Sequence, residues 1–335
     1  MRRHWLGAGG GDREQVSSGS DQPQIGVVGA TGAVGRITLA LLRERGYENV
    51  RAFASQRSAG TAIDELEVEE ATASTLGAGD LDVCFFSVGT TASAELVPAA
   101  AAAGALCIDK SSAFRLEEGV PLVVPEVNAA RALEHRGIVA NPNCCSIPLS
   151  MVLAPLHAAA GLRSVRVSTY QSASGAGTQA IERLRGESPE EHDLRMDWSF
   201  DGVELDEELK IRAETQKILE LPDLPVSATC VRVPVLVGHA EAVWVETVEP
   251  LAPIDAELVL GSAPGIRLER FPTPATALRS DHVLVGRIRE DMTAENGLVL
   301  FLACDNLRKG AALNALQIAE LILGALASAP PRRSS

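Results

Sequence analysis

The stretch IGVVGATGAVG, residues 25–35, joins a short apolar run to a segment with helical periodicity. The spacing Gly-x-x-Gly-x-x-Gly between a strand and a helix permits a tight turn that brings backbone amides close to a pyrophosphate. The same glycines without a flanking strand and helix would indicate only a loop. The stretch therefore predicts a dinucleotide-binding β-α-β unit. Its candidate cofactor contacts are Gly29, Thr31, Gly32, Ala33 and Val34.

Short strand-like runs alternate with helical stretches from residue 25 to residue 143, which predicts a parallel sheet. After residue 144, a helical stretch at 147–160 leads into longer strand-like runs. These runs lie at 165–171, 228–235 and 242–248. The fold class predicted is α/β, with a Rossmann-type dinucleotide-binding domain and a second α+β domain for catalysis and dimerisation.

The predicted domains are a flexible extension at 1–24, a Rossmann-like domain at 25–143 and a catalytic domain at 144–309. A closing helix at 310–327 is expected to pack back on the first domain. The polar insert at 187–206 is charged and poor in aliphatic residues, so it is expected to form an exposed loop or a subunit arm.

Composition excludes several classes of protein. The chain has 335 residues, of which 46% are apolar, and its net charge of −14 disfavours nucleic acid and anionic membranes as partners. No stretch is expected to approach the roughly 18 apolar residues of a membrane span, since the longest alanine run, 99–103, is short. Four of the six cysteines lie in strand-like runs, and none has metal-ligand spacing. We expect a cytoplasmic protein with reduced thiols and no metal.

The end of the second strand indicates which dinucleotide binds. An NAD site places an acidic residue about twenty residues after the last glycine, against the ribose 2′-hydroxyl. This chain has Ser-Gln-Arg-Ser at 55–58, without a carboxylate. Arg57 and Ser58 suit a 2′-phosphate, so NADP is favoured over NAD, although Arg57 could also be merely solvated.

A cysteine precedes the helical stretch that begins near residue 147, in the sequence NPNCCS at 141–146. A helix N-terminus stabilises a thiolate and lowers the thiol pKa from about 8.5. Most cysteines in an apolar protein only fill the core, but Cys144 has this chemical context. Its neighbour Cys145 leaves open which of the two sulfurs reacts.

Several longer motifs occur in order along the chain. They are SSAFR at 111–115, PEVN at 125–128, NPNC at 141–144, STYQ at 168–171, SGAG at 174–177, CVRVPV at 230–235, GH at 238–239 and DNLRKG at 305–310. With the glycine turn, they make residues 26–323 resemble the aspartate-semialdehyde dehydrogenase family. Cys145 departs from the pattern, because many relatives have Ser or Thr there.

The resemblance implies reduction of aspartyl phosphate to aspartate semialdehyde by NADPH, with release of inorganic phosphate, in the biosynthesis of lysine, methionine, threonine and diaminopimelate. Cys144 would be the nucleophile that forms a thioester, and His239 the general acid and base. A homodimer or homotetramer is expected by the same analogy.

Substrate and further cofactor contacts also follow from the resemblance. Arg232 would bind the α-carboxylate through its planar fork, and Gln171 would lie near the thioester. The remaining substrate candidates are Glu207 for the ammonium, Lys210 and Arg115 for the phosphate, and Asn143 to orient it. Without the resemblance, Glu207 and Lys210 would be a surface ion pair. The further cofactor candidates are Ser174, Gly175, Asn314 and Gln317, of which the last two could equally be exposed polar residues.

Two alternatives remain. An N-acetyl-glutamyl-phosphate reductase would have Gly where this chain has Asn143. A catalytically silent paralogue that serves as a binding or assembly subunit would be expected to lack Cys144, His239 or Arg232, and all three are present.

Overall fold

The structure, a computed structural model, describes residues 22–186 and 193–328. Most of the predicted extension and residues 187–192 of the polar insert lie outside the described residues. The last residues of that extension are part of the fold. Gln22 is 2% exposed, its Nε2 donates to the carbonyl of Gly46, and its Oε1 accepts from the amide of Glu48.

The chain divides into two compact units. Of the described residues, the first unit contains 22–125, 129–141 and 312–328, and the second contains 126–128 and 142–311 without the gap. The chain therefore passes between the units more than twice.

The first unit contains a sheet with seven strands among the described residues. These are β1 (Ile25–Val28), β2 (Val50–Ala54), β3 (Ala62–Ile63), β4 (Leu66–Glu70), β5 (Val83–Phe86), β6 (Leu106–Asp109) and β7 (Ile138–Ala140). Their spatial order is β3-β4-β2-β1-β5-β6-β7, and every adjacent pair except β3 with β4 is parallel. β1, β5 and β6 are buried along their whole length, as expected for parallel strands covered on both faces. The Rossmann-type fold is confirmed.

The helices of the chain connect and cover these strands and those of the second unit. They are α1 (Ala33–Glu44), α2 (Ala73–Leu76), α3 (Thr90–Ala102), α4 (Pro125–Asn128), α5 (Ser146–Ala160), α6 (Thr178–Gly186), α7 (Asp206–Leu219), α8 (Pro253–Ser262), α9 (Pro274–Ala277) and α10 (Leu313–Ser328). After β1 the chain forms β2 on one side and, later, β5 on the other. The carboxyl end of β1 is thus the switch point of the sheet, where dinucleotides bind in such folds.

The second unit contains a mixed sheet, which confirms the α+β expectation. Its described strands are β8 (Leu162–Gln171), β9 (Val226–Arg232), β10 (His239–Thr247), β11 (Ile266–Leu268), β12 (Val283–Glu290) and β13 (Gly297–Cys304), in the order β11-β12-β13-β10-β8-β9. The predicted run at 228–235 was too long, because β9 ends at Arg232. Pro234 has no amide hydrogen to continue the ladder.

The closing helix belongs to the core of the first unit. Its apolar side chains, including Leu316 and Ile318, pack with those of β1 and β2 in one cluster. Together with the helical turn that precedes it, α10 forms a continuous helical stretch. This stretch, Arg308–Ala327, is the one among the described residues that is long and apolar enough to span a membrane, with mean hydropathy 1.5. The expectation that no stretch of the chain is long and apolar enough to span a membrane was wrong. The burial of this helix explains its composition, since a core helix can be apolar on all sides.

Candidate active site

Cys144 lies immediately before the first turn of α5. Cys145 is the N-cap residue of that helix, no side chain caps it, and its first turn contains no acidic residue. The side chain of Asn143 accepts a hydrogen bond from the Cys145 amide at 2.8 Å, which fixes the turn. Gly310 packs against Cys144, since a Cβ at Gly310 would lie 3.3 Å from the Cys144 Cβ. The partial positive charge of the helix terminus therefore acts where the Cys144 sulfur lies.

The two adjacent thiols have different surroundings. Cys144 is partly exposed, whereas Cys145 is fully buried. Burial raises the pKa of the Cys145 thiol well above its ordinary value, and so do the neighbouring Cys144 and Glu241. Because the thiolate is the nucleophilic form, this environment favours Cys144 as the reactive sulfur.

His239 faces Cys144. The distance from His239 Nε2 to Cys144 Sγ is 3.2 Å, and His239 is fully buried. On the other side of the ring, the amide of Ser172 donates to Nδ1 at 3.0 Å. In the state in which Nδ1 accepts from this amide, Nδ1 carries no hydrogen and the hydrogen of the neutral ring is on Nε2. His239 then donates toward the sulfur, which stabilises a thiolate.

Sheet pairing brings three site residues, Gln171, Arg232 and His239, into one row across the second sheet. His239 pairs with Cys304 on β13, and Gln171 pairs with Arg232 between β8 and β9. Tyr170 pairs with Ala240, so Gln171 adjoins His239. The predicted catalytic and substrate residues thus come from three strands and meet at one end of the sheet.

Arg232 is held on several sides. Its Nε donates to both carboxylate oxygens of Asp197 at 2.8 and 2.9 Å, and its Nη1 donates to the Ser172 carbonyl at 2.9 Å. The guanidinium carbon lies 4.6 Å from the ring centre of Trp198, a cation-π contact. Asp197 and Trp198 come from the polar insert, so that part of the insert contacts the site. A Cβ at Gly175 would lie 3.2 Å from Arg232 Nη1 and from His239 Nε2.

Two buried carboxylates of α7 position the loop before Cys144. Glu207 Oε1 accepts from the side-chain amides of Asn143 at 2.9 Å and Gln171 at 3.0 Å. Glu214, two turns later, accepts from the Asn143 backbone amide at 2.7 Å. The i,i+3 ion pair with Lys210 is present, but Glu207 is 6% exposed and does not lie at the surface. Lys210 Nζ lies 2.8 Å from Asp206 and 3.7 Å from Glu207.

The glycine turn of the first unit follows β1. Gly29 has φ of +85°, and a Cβ there would lie 2.5 Å from the Ser87 carbonyl. A Cβ at Gly35 would lie 2.2 Å from the Gly29 carbonyl, so both positions require glycine. At Gly32 a Cβ would meet only the Gly29 carbonyl, at 3.3 Å. No side chain caps α1, and no acidic residue lies in its first turn.

These features fit a dinucleotide. The uncapped helix start is open to a pyrophosphate. Thr31, Ala33 and Val34 complete this turn and are all partly exposed. After β2, Arg57 is exposed and Ser58 half-buried, in a turn closed by the bond from the Ser58 amide to the Ser55 carbonyl.

Three residues of the first unit, Arg115, Asn314 and Gln317, were also predicted to contact substrate or cofactor, and two of them bind neighbouring protein groups in the structure. The Arg115 guanidinium, 8% exposed, donates to the carbonyls of Asn141 and Lys110. Asn314 is fully buried, and its amide donates to the Val123 carbonyl and to the Asn141 side chain. The alternative of an exposed position is thus wrong for Asn314, whereas Gln317 is half-buried.

Other residues of the site were missed by the sequence reasoning. Asn306 Oδ1 accepts from the Gly238 amide at 2.8 Å, and its Nδ2 donates to Ser174 Oγ at 2.9 Å. Asn306 lies in the DNLRKG motif, just after an expected strand. A polar residue at the end of a strand could have been predicted from the sequence as a site residue. Ser172 and Asp197 had no such indication. The sulfur atoms of Cys144 and Cys145 and a ring nitrogen of His239 lie within 4.8 Å of one another, so the three side chains share one site.

The chain matches two family profiles over most of its length. Residues 24–135 match "Semialdehyde dehydrogenase, NAD binding domain". Residues 153–199 and 199–309 match "Semialdehyde dehydrogenase, dimerisation domain".

Individual relatives agree with these profiles. The chain is 44% identical, over 89% of its length and 99% of the relative, to an aspartate-semialdehyde dehydrogenase of Corynebacterium glutamicum. It is 41% identical to that of Bacillus subtilis, with 88% and 96% covered. Among solved structures, Vibrio cholerae aspartate semialdehyde dehydrogenase II complexed with ASA has a TM-score of 0.84 at 38% identity, covering 91% and 99%. The Candida albicans enzyme with NADP has a TM-score of 0.74 at 25% identity, with the same coverage.

Proposed function

Because the chain belongs to the aspartate-semialdehyde dehydrogenase family, we propose that Cys144, His239 and Arg232 carry out the reaction of that family in the second unit. The reaction is the reductive dephosphorylation of L-4-aspartyl phosphate to L-aspartate 4-semialdehyde with NADPH. The observation that carries the assignment is the 3.2 Å contact between Cys144 Sγ and His239 Nε2 at the start of α5.

Each step follows from the chemistry of these groups. The Cys144 thiolate attacks the acyl carbon, the bond to phosphate breaks, and a thioester forms on the sulfur. NADPH, when bound, supplies the hydride that reduces this thioester. The resulting oxyanion re-forms a carbonyl and expels the Cys144 thiolate, so the aldehyde is released. His239 Nε2–H stabilises negative charge on sulfur and oxygen, and a protonated ring donates the proton that the leaving phosphate requires.

Substrate recognition is assigned to side chains whose charge is opposite to that of each substrate group. Arg232 binds the α-carboxylate, and Asp197 and the Ser172 carbonyl orient its guanidinium. Glu207 is proposed to bind the substrate ammonium while it holds Gln171 and Asn143. Lys210 and Arg115 remain the phosphate candidates.

The cofactor is NADP. The glycine turn and the start of α1 are proposed to hold its pyrophosphate, and Arg57 with Ser58 its 2′-phosphate. Ser174, Gly175, Asn314 and Gln317 are retained as proposed contacts. Turnover of aspartate semialdehyde and phosphate, measured with NAD in place of NADP, tests the assignment. Equal turnover with the two cofactors would contradict the role of Arg57.

The chain is expected to oligomerise, and we propose a homodimer, because most of the second unit matches a dimerisation domain. We also propose a cytoplasmic location. All six cysteines are free, which suits a reducing compartment.

The decisive experiment measures NADPH formation from aspartate semialdehyde, NADP and inorganic phosphate. Formation that depends on phosphate supports the assigned reaction, and its absence supports the silent paralogue. Cys144→Ser should reduce turnover by roughly a thousandfold or more, because the hydroxyl is a far weaker nucleophile. Cys145→Ser, the matched control, should retain most of the turnover. The opposite pattern would assign the reaction to Cys145.

A further inference from the structure

Ser172 contacts His239 with two different groups. Its amide donates to Nδ1 at 3.0 Å, and its hydroxyl oxygen lies 3.1 Å from the same nitrogen. Ser172 is fully buried, as is His239. These two groups favour different states of the ring. The amide requires a lone pair on Nδ1, whereas the hydroxyl can either donate to Nδ1 or accept a hydrogen from it.

The hydroxyl has partners for both orientations. Ser172 Oγ lies 3.0 Å from Ser174 Oγ and 3.3 Å from Asn306 Oδ1. When its hydrogen points to one of these oxygens, a lone pair is left for a hydrogen on Nδ1. Asn306 is itself fixed by the Gly238 amide and by Ser174. The hydroxyl can therefore rotate within this buried network without losing a partner. The Ser172 amide, in contrast, loses its acceptor whenever Nδ1 carries a hydrogen.

The ring needs such an acceptor to transfer a proton. With only the amide of Ser172 beside Nδ1, the imidazole would stay neutral with its hydrogen on Nε2. It could then donate a hydrogen bond to the Cys144 sulfur, but Nε2 would have no lone pair for the thiol proton. A cationic ring, which can release a proton to the leaving phosphate, carries hydrogens on both nitrogens.

We propose that Ser172 is the positioning residue that makes His239 an acid and base, because its hydroxyl accepts the Nδ1 hydrogen in every state that has one. The inference rests on the proposed function of His239. In the neutral tautomer that carries its hydrogen on Nδ1, Nε2 has a lone pair and takes the proton of the Cys144 thiol. The cationic ring then passes that proton from Nε2 to the departing phosphate and returns to the same tautomer, while the Nδ1 hydrogen stays bonded to Ser172 Oγ. The acyl and hydride transfers are unchanged.

The test compares Ser172→Ala with the wild-type chain. Alanine keeps the amide and carbonyl of residue 172, and therefore the bonds to Nδ1 and to Arg232, but removes the hydroxyl. Turnover in the direction of acyl-phosphate reduction should fall on the order of a hundredfold at neutral pH, the usual worth of an acid–base group. KM should change little, and the loss should diminish at lower pH, where a cationic ring is easier to form.

A spectroscopic readout separates this role from a structural one. Nitrogen-15 shifts of labelled histidine, assigned with His239→Asn, report which nitrogen carries hydrogen across the pH range. In Ser172→Ala we expect Nδ1 to remain unprotonated to a lower pH than in the wild-type chain. Ser174→Ala is the matched control for the nitrogen shifts alone, because its hydroxyl is in the network without touching the ring. Its turnover is not compared, since Ser174 is also a proposed cofactor contact.

The outcomes are distinguishable. Identical nitrogen shifts and an identical pH profile for Ser172→Ala and wild type would overturn the inference. The same holds if Ser174→Ala shifts the ring as much as Ser172→Ala does. A wild-type chain without phosphate-dependent turnover contradicts the proposed function instead, and the nitrogen shifts still decide the hydrogen positions.

Discussion

At the scale of single residues, the chemistry of the second unit depends on a few buried polar atoms. Cys144 and Cys145 are adjacent in sequence, yet only Cys144 is partly exposed. Glu241, two residues after His239 on β10, is fully buried, and neither of its carboxyl oxygens has a partner of normal hydrogen-bond geometry among the described residues. The nearby Cys145 thiol offsets the effect of burial on the pKa of Glu241 only in part. An unpaired buried acid avoids its charged form.

Burial, and next the nearby Cys144, raise the pKa of Glu241 well above its ordinary value. In the unfolded chain the Glu241 carboxyl group loses its proton at about pH 4.3, whereas in the folded protein it keeps the proton to a higher pH. As pH rises above that value, the wild-type chain loses stability by up to about 1.4 kcal/mol per pH unit until the folded-state pKa is reached. Glu241→Gln removes this loss, so its stability relative to wild type should increase with pH.

Urea unfolding of both proteins between about pH 5 and pH 8 measures this difference. Ser150→Ala is a suitable control, because its hydroxyl is also buried without a partner but does not titrate. A difference between Glu241→Gln and wild type that is constant with pH would show that Glu241 is already ionised in the folded protein.

At the scale of elements, one short segment is tied to the second unit by an ion pair. α4 contains Glu126, whose oxygens lie 2.8 and 2.9 Å from Lys309 Nζ. Lys309 is fully buried, and burial lowers the pKa of its ammonium group. Residues 126–128 belong to the second unit although the chain on both sides belongs to the first. The pair accounts for this placement.

Removing one partner should cost far more than removing both. Glu126→Gln removes the carboxylate that lies within 2.9 Å of a buried ammonium, and we expect about 3–5 kcal/mol of lost stability. The double variant Glu126→Leu with Lys309→Met should lose less, because no charge is left buried. Denaturant titration of both variants checks this order, and equal losses would mean that the pair has no such coupling.

At the scale of the whole molecule, the net charge of −14 must coexist with an anionic substrate. The positive charge assigned to the substrate carboxylate is therefore confined to one buried side chain. Arg232 is 7% exposed and stacked on Trp198. The surface of the second unit also contains exposed apolar side chains, including Ile254 and Leu258 on one face of α8. Exposed apolar residues grouped in this way are typical of contact surfaces.

Light scattering on the purified chain should give twice the chain mass of 35.2 kDa, as expected for a homodimer. The mass should hold on dilution to assay concentrations, since permanent interfaces are large and apolar. A constant monomer mass would contradict the assembly, and four chains would favour a tetramer.

The sequence by itself determined what depends on contiguous residues. The glycine turn at 25–35, the alternation of strands and helices, and a cysteine at a helix start are local patterns, because turns and helix termini are set by neighbours in the chain. These patterns sufficed for the fold class and for a candidate nucleophile at 144–145, and the family resemblance selected Cys144 of the two.

Only the tertiary structure decided which distant residues share the site. Gln171, Arg232 and His239 meet through the register of β8, β9 and β10, and strand pairing is not encoded by any one of these strands alone. Ser172 and Asp197 act through hydrogen-bond geometry and burial, which depend on the packed environment. Ser172, the proposed positioning residue of His239, is therefore identified by its distance from the ring, because nothing in the sequence around it indicates that contact.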